Sequence, residues 1–387
     1  MRYIYQQLNE FASTKFVLLS GPRQVGKTTL AKAWLKTKEG IYLNWDILKY
    51  KKAILKQDFL KTRLPKALVL DELHKYGRWK GFLKGLYDGN HEELNVVVTG
   101  SARLDIFKPG QDSLLGRYEQ LRLHPLSIGE ITHGTLSPPP KDWLNSGGEV
   151  NFSLWEQLEK YSGFPEPFYA QQTTQHQRWM ARRRGLILRE EVQSIVQLRN
   201  LSLLEHLMIL LPERVGSPLS INSLREDLQV AHDTLTNWIE LLERVYYCFR
   251  VSPYHVRLSR TIKREQKLYF WDWTESESPG ARFENMVASH LLKAVHAWND
   301  VGYGEFSLMY FRNAEKEEVD FVVCNRRKPI ALIECKVSDR VPAPALQKLS
   351  ARLGDIPAIQ LVNENIESTF GKNFLVASAA RFLARLP

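Results

Sequence analysis

The chain has 387 residues, enough for two or three domains, and its 44% hydrophobic and 25% charged content is that of a globular protein rather than a disordered or fibrous one. No apolar run approaches the ~18 residues of a membrane span, and Met1-Arg-Tyr-Ile-Tyr-Gln-Gln7 lacks the apolar core of a signal peptide, so a cytoplasmic protein with no membrane partner is expected. The net charge of +10 favours an acidic partner such as nucleic acid, while Cys248, Cys324 and Cys335 have neither metal nor redox spacing and the ten histidines form no H-E-x-x-H arrangement.

The alternation of elements over the first third predicts a parallel sheet covered on both faces, with strands at 16–20, 41–44, 67–71, 95–99 and 120–124. After the first strand, Gly21-Pro-Arg-Gln-Val-Gly-Lys-Thr-Thr29 fits G-x-x-x-x-G-K-[ST] and leads into a helix-forming run. Strand, glycine loop and helix in that order form a phosphate cradle. Gly21, Pro22, Arg23, Gln24, Val25, Gly26 and Thr29 supply its backbone, Lys27 reaches the β- and γ-phosphates of ATP, and the Thr28 hydroxyl ligates Mg²⁺. The third strand ends in Asp71-Glu72, which places a magnesium-holding carboxylate and a water-activating base at the same edge of the sheet. The fourth ends in Thr99-Gly-Ser101. Thr99 or Ser101 would sense the γ-phosphate or hold the attacking water; a plain strand-ending turn is the competing reading.

Leu136 to Trp143 and Asn145 to Gly148 read as linker, and Phe152 to Leu211 as helical with a break at Ser162–Pro167. Arg182-Arg-Arg184 within it reads as a solvated face or a nucleic-acid contact. Residues 217–250 have the pattern of a helix-turn-helix: one helix over Ser220–Leu228, and a second over Thr234–Leu242 that buries Leu235, Trp238, Ile239 and Leu242. Tyr246 to Tyr254 would supply a wing, and Arg257, Arg260, Lys263 and Arg264 would reach DNA phosphates. Glu240 and Glu243 do not suit a groove-facing helix, so a purely structural winged helix stands beside the DNA-binding one.

The last segment carries a second chemical pattern. Phe283 to Leu292 is an amphipathic helix bearing Glu284, Glu318 to Cys324 a strand bearing Asp320, and Ile330 to Lys336 a strand bearing Glu334 and Lys336 on one face. The hairpin between the strands would bring Asp320 beside Glu334. Two carboxylates and a lysine in this arrangement bind a divalent ion and orient water for phosphodiester attack, whereas charges alternating along a strand also describe the wet face of a sheet. In the catalytic reading Asp320, Glu334, the Cys335 carbonyl and Glu284 hold the metal, and Lys336 positions or deprotonates the water.

Taken together, these motifs resemble a family of prokaryotic AAA+ ATPases whose N-terminal ATPase domain is joined to a DUF4143 domain. The likeness rests on Gly21 to Thr29, Leu70-Asp-Glu-Leu73, Thr99-Gly-Ser101, Leu115-Gly-Arg117 with His124-Pro-Leu-Ser127, and Tyr161-Ser-Gly-Phe-Pro-Glu166, in which Ser162 stands where a second glycine is common. Phe283-Glu284, Glu318-Val-Asp-Phe321 and Ile333-Glu-Cys-Lys336 are similar to PD-(D/E)XK nucleases. The resemblance implies an AAA+ ATPase core over 1–134, a linker and helical lid over 135–216, a winged helix over 217–279 and an α/β restriction-endonuclease-like domain over 280–387. It also implies homo-oligomers in which Arg117 acts as an arginine finger in a neighbouring subunit. The function expected is ATP hydrolysis coupled to DNA binding, with metal-dependent cleavage at the C-terminal domain. The alternative is an ATP-switched protein-binding scaffold.

Overall fold

The computed structural model describes residues 2–60, 64–100, 114–196, 200–254 and 265–387. They form two compact units, one ending at Pro125 and one beginning at Leu126. Ser101, Arg257, Arg260, Lys263 and Arg264 lie outside the described residues.

The first unit runs α1 (Tyr5–Phe11), β1 (Phe16–Ser20), α2 (Lys27–Leu35), β2 (Gly40–Asn44), α3 (Leu48–Lys56), β3 (Ala67–Asp71), α4 (Trp79–Asn90), β4 (Asn95–Thr99) and β5 (Tyr118–Arg122). The five strands pair in parallel in the order β2-β3-β4-β1-β5. β1 and β3 are buried along their whole length, which is why their sequences are continuous apolar runs without alternation. Phe16, Leu18, Leu68, Leu70, Val96 and Val98 share one core with Ile54 of α3 and Leu83 and Leu86 of α4. Val17 and Leu19, alternate along β1, turn to the face covered by α1 and α2. β5 starts and stops two residues before its expected span. Pro125 has no amide to extend the ladder, and the carbonyl of His124 is taken by the Arg2 guanidinium at 2.5 Å.

The second unit opens with helices: α5 (Ile128–His133), α6 (Phe152–Tyr161), α7 (Pro165–Ala170), α8 (Thr173–Leu186), continued as a π-helical stretch to Val192, then α9 (Gln193–Ile195) and α10 (Leu201–Leu210). Ser162, between α6 and α7, has φ 76°, the left-handed backbone that favours glycine. The arginine run on α8 divides into distinct environments. Arg182 pairs with Glu166 at 2.7 Å near the surface. Arg183 is buried over the Phe164 ring at 4.4 Å, and Arg184 is bonded to buried Glu275. Two of the three arginines therefore hold the fold rather than forming a solvated basic face.

A helix pair follows, α11 (Ile221–Leu228) and α12 (His232–Arg244), with Gln229 at φ 52° making the turn. α12 begins two residues before its expected start and buries Leu235, Trp238, Ile239 and Leu242. Asp233 and Glu240 on it are exposed, and Glu243 is bound to Arg250 at 2.6 Å. β6 (Cys248–Pro253) and β7 (Lys267–Phe270) then pair antiparallel. The rest is α13 (Pro279–Asp300), β8 (Phe306–Arg312), β9 (Glu318–Asn325), β10 (Lys328–Lys336), α14 (Pro344–Arg352), β11 (Ala358–Val362), β12 (Thr369–Gly371), β13 (Phe374–Ser378) and α15 (Ala379–Leu383). One eight-stranded sheet, β12-β13-β11-β10-β9-β8-β6-β7, takes in all of these strands. Arg326 and Arg327, at φ 47° and 65°, form the two-residue turn between β9 and β10, the backbone that matches strand twist. No helix among the described residues is long and apolar enough to cross a membrane.

Two buried groups tie α13 to α5. Lys293 Nζ bonds Glu130 Oε2 at 2.5 Å and Ser127 Oγ at 2.8 Å. His290 Nε2 accepts the Ile128 amide at 3.1 Å while its Nδ1 faces the Met286 carbonyl at 2.7 Å, the arrangement of a neutral imidazole protonated on Nδ1. Burial is the main force holding the ring neutral, down to a pKa of about 3. An unfolded histidine titrates near ~6.5, so the unfolded chain binds the extra proton first. Stability contributed by His290 is complete above that pH and is lost as pH falls toward 3. The melting temperature should fall over that range, and His290→Gln should flatten the fall. An unchanged profile in the variant would remove His290 as its source.

Candidate functional site

The first candidate site lies at the carboxyl edge of the parallel sheet, where β1 gives way to α2. Gly21 has φ 141°, and a Cβ there would stand 2.3 Å from the Leu123 carbonyl oxygen. Gly26, at φ 101°, caps α2 and is followed directly by Lys27. Pro22, Arg23, Gln24 (φ 64°) and Val25 complete the loop, and Thr28 and Thr29 open the helix. Lys27 is buried and turns its ammonium onto its own loop, at 2.8 Å from the Gly21 carbonyl and 2.7 Å from that of Pro22. An anion held in the loop would offer that ammonium stronger, charge-assisted bonds.

Asp71, at the end of β3, is where the neighbouring strands converge. Thr28 Oγ1 lies 3.1 Å from each of its carboxylate oxygens, Tyr42 OH 2.5 Å and Asn44 Nδ2 3.0 Å from Oδ2, and Thr99 donates to Oδ1. Parallel pairing explains the convergence, because Asn44 stands in register with Asp71. The Tyr42 phenol is pushed up by burial and by its bond to Asp71. Sequence reasoning found Thr28, Asp71 and Thr99 but missed Tyr42 and Asn44, whose only signal was their place at the end of a strand beside β3. These residues suit a hydrated magnesium ion, which takes few protein ligands and fills its octahedron with phosphate and water.

Glu72 follows with φ 58°, a left-handed backbone that costs a non-glycine residue of order 1–3 kcal/mol. Burial raises its carboxyl above the usual range, against the pull of Lys75, whose Nζ is 3.3 Å away, and of Lys27. Arg117 sits at the other edge. Its carbonyl accepts the Phe16 amide at the start of β1, and its Nε meets Asp88 at 2.7 Å. All five residues of β1, about 16 Å at ~3.3 Å per residue, separate it from the loop of its own sheet.

The second candidate site lies in the C-terminal unit. Asp320 and Glu334 do meet across the β9–β10 ladder. The Asp320 amide donates to Glu334 Oε2 at 3.4 Å, and the Cys335 amide donates to Asp320 Oδ2 at 2.9 Å. Lys336 Nζ bonds Glu334 Oε1 at 2.8 Å, and Glu284 enters from α13 with its Oε1 bonded to Tyr269 OH at 2.7 Å. Burial and the Asp320 charge raise Glu284 to about 8 and Glu334 to about 7.

Of the four groups expected to hold a metal ion there, Glu284 and Asp320 are bound by the ammonium of Lys267, from the start of β7. Its Nζ lies 2.6 Å from Glu318 Oε1, 3.1 Å from Asp320 Oδ1 and 3.2 Å from Glu284 Oε1. Burial alone would lower the Lys267 pKa, but Asp320, Glu284 and Glu318 together hold it well above its usual value. Among the described residues no group of three or more His, Cys, Asp or Glu side chains is arranged to hold a metal ion. In the sequence Lys267 ends a basic stretch and reads as one more surface lysine.

The first site is that of a P-loop ATPase-like domain, and the family model that covers it agrees. The family model for an AAA domain matches residues 13–132, and two models for domains of unknown function, DUF8612 and DUF4143, match 153–274 and 279–381. The chain therefore carries an AAA-type P-loop domain followed by a DUF4143 domain. An uncharacterized protein of Haemophilus influenzae is 22% identical over 367 residues, covering 87% of this chain and 86% of its own. Another, from Methanocaldococcus jannaschii, is 24% identical over 295 residues, which span 66% of this chain and 60% of that protein. A solved Walker-type ATPase of Pyrococcus abyssi aligns at 15% identity and TM-score 0.39, over 63% of this chain and 89% of its own.

Proposed function

We propose that this protein is an ATP-hydrolysing AAA+ protein that works as a homo-oligomer in the cytoplasm and couples turnover to DNA binding. The convergence of Thr28, Tyr42, Asn44 and Thr99 on Asp71 at the lip of the glycine loop carries the reading. Thr28 and Asp71 would hold Mg²⁺, which when bound neutralises phosphate charge. The loop amides and Lys27 bind the phosphates, Thr99 fixes the Asp71 carboxylate, and Glu72 takes the proton of the attacking water. Ser101, outside the described residues, remains a candidate γ-phosphate sensor.

Arg117, at the far edge of its own sheet, suits a site in a neighbouring copy. Mixing Arg117→Ala with Lys27→Ala should then restore part of the turnover that each lacks alone, because each supplies what the other has lost. Turnover per subunit should also rise with protein concentration. A monomer that hydrolyses at a concentration-independent rate would count against the trans finger.

The +10 charge and the α11–α12 pair support DNA as partner. Filter binding at two salt concentrations, with and without nucleotide, tests this, since phosphate contacts make affinity fall steeply with salt. A second reading, an ATP-switched protein-binding scaffold, is favoured by the exposed acids on α12 and by Lys267 in the carboxylate cluster. Absence of DNA retention in either nucleotide state would select it.

A further inference from the structure

Beyond the nucleotide site, the carboxylate cluster of the C-terminal unit supports a separate conclusion. We infer that Lys267 is the resident cation of that cluster, and that while its ammonium stands there the cluster takes no divalent metal ion. The metal implied by the likeness to nucleases does not fit the residues present.

Stoichiometry is the first argument. An ammonium has three N–H donors, and Lys267 Nζ has three carboxylate neighbours, Glu284, Glu318 and Asp320, at 2.6 to 3.2 Å. Two of the three, at 3.1 and 3.2 Å, are hydrogen-bond lengths beyond the roughly 2.0–2.6 Å of magnesium or calcium to oxygen. The carboxylates are committed elsewhere too. Asp320 Oδ2 takes the Cys335 amide at 2.9 Å, Glu334 Oε1 takes Lys336 at 2.8 Å, and Glu318 Oε2 takes Arg312 at 3.2 Å. A divalent ion entering beside Lys267 would meet a like charge and have to strip these bonds.

Tethering is the second. Lys267 is fully buried, and its backbone pairs with Val251 of β6. The preceding residue accepts the Leu219 amide at 2.8 Å through its carbonyl. The ammonium is thus always present at the cluster, an intramolecular ligand that a dissolved ion at millimolar concentration has to displace. The terminal domain keeps the acid geometry of a metal site, with the cation supplied by the chain itself.

The test is Mn²⁺ binding to the nucleotide-free full chain, followed by electron paramagnetic resonance, in wild type, Asp320→Asn, Lys267→Met and the double variant. Wild type and Asp320→Asn should bind alike, so that Mn²⁺ at the phosphate loop cancels between them. Lys267→Met should gain a site, at least about tenfold tighter than anything in the double variant at the same cluster, and its melting temperature should rise with Mn²⁺ in step with occupancy. Wild-type binding that is lost in Asp320→Asn would overturn the inference, as would a folded Lys267→Met that gains no site. If Lys267→Met does not fold, the comparison of wild type with Asp320→Asn decides alone: equal binding supports a resident lysine, and unequal binding refutes it.

Discussion

Glu72→Gln should leave ATP bound and slow its hydrolysis by roughly 10²- to 10⁴-fold, the range removed with a general base. Lys27, Thr28 and Asp71 are untouched by the change, so nucleotide affinity should hold while single-turnover hydrolysis collapses. Lys27→Ala, by contrast, should lose binding as well. A pH profile adds a second readout. Burial raises the Glu72 carboxyl above its ordinary value, so its ionised, working form is lost at a higher pH than for an exposed glutamate. Wild-type turnover should decline on the acid side through that raised pKa, and the residual turnover of Glu72→Gln should lack the limb. Wild-type rates in the variant would assign the base elsewhere.

Lys293→Met should destabilise the C-terminal unit strongly, by about 3–5 kcal/mol. Lys293 and Glu130 are both buried, with side chains 1% and 2% exposed. Removing the ammonium takes a 2.5 Å ion-pair partner from the Glu130 carboxylate in a place water does not reach. Replacing both, Lys293→Met with Glu130→Leu, should recover much of the loss, because an apolar pair of similar volume carries no desolvation penalty. Urea midpoints of the two singles and the double measure the coupling. Equal losses in single and double variants would mean that the pair is not what stabilises the contact.

The nucleotide site was legible because its chemistry is local in sequence. Gly21, Gly26, Lys27 and Thr28 fall in one loop, and Asp71 and Glu72 end one apolar strand. Tyr42 and Asn44 were not legible, since they reach Asp71 only through strand order, β2 beside β3, which spacing alone does not give. The C-terminal acids were legible only in part: the hairpin was plain from the turn, but the turn alone would set Asp320 opposite Ile333, and a one-residue register shift between Pro329 and Ala331 is what brings it beside Glu334. Lys267 comes from a strand far away in sequence, with no pattern to mark it. Arg183 misled in the opposite direction. Three adjacent arginines on a helix point to different sides, and one of those sides is the core.

The shared sheet also determines where the chain can be cut. β6 and β7 precede residue 279, where the DUF4143 match begins, yet β6 pairs with β8 through Ser252–Met309 and Pro253–Tyr310. A fragment starting at 279 would bare one side of β8, a strand flank ready to join a second fragment. It would also leave the acids around Asp320 without their ammonium, repelling one another in a half-dry pocket. Such a fragment should aggregate; one starting before α11 keeps that edge covered and Lys267 with its acids, but only a fragment that also includes α5 and α8 keeps Glu130 with Lys293 and Arg184 with Glu275.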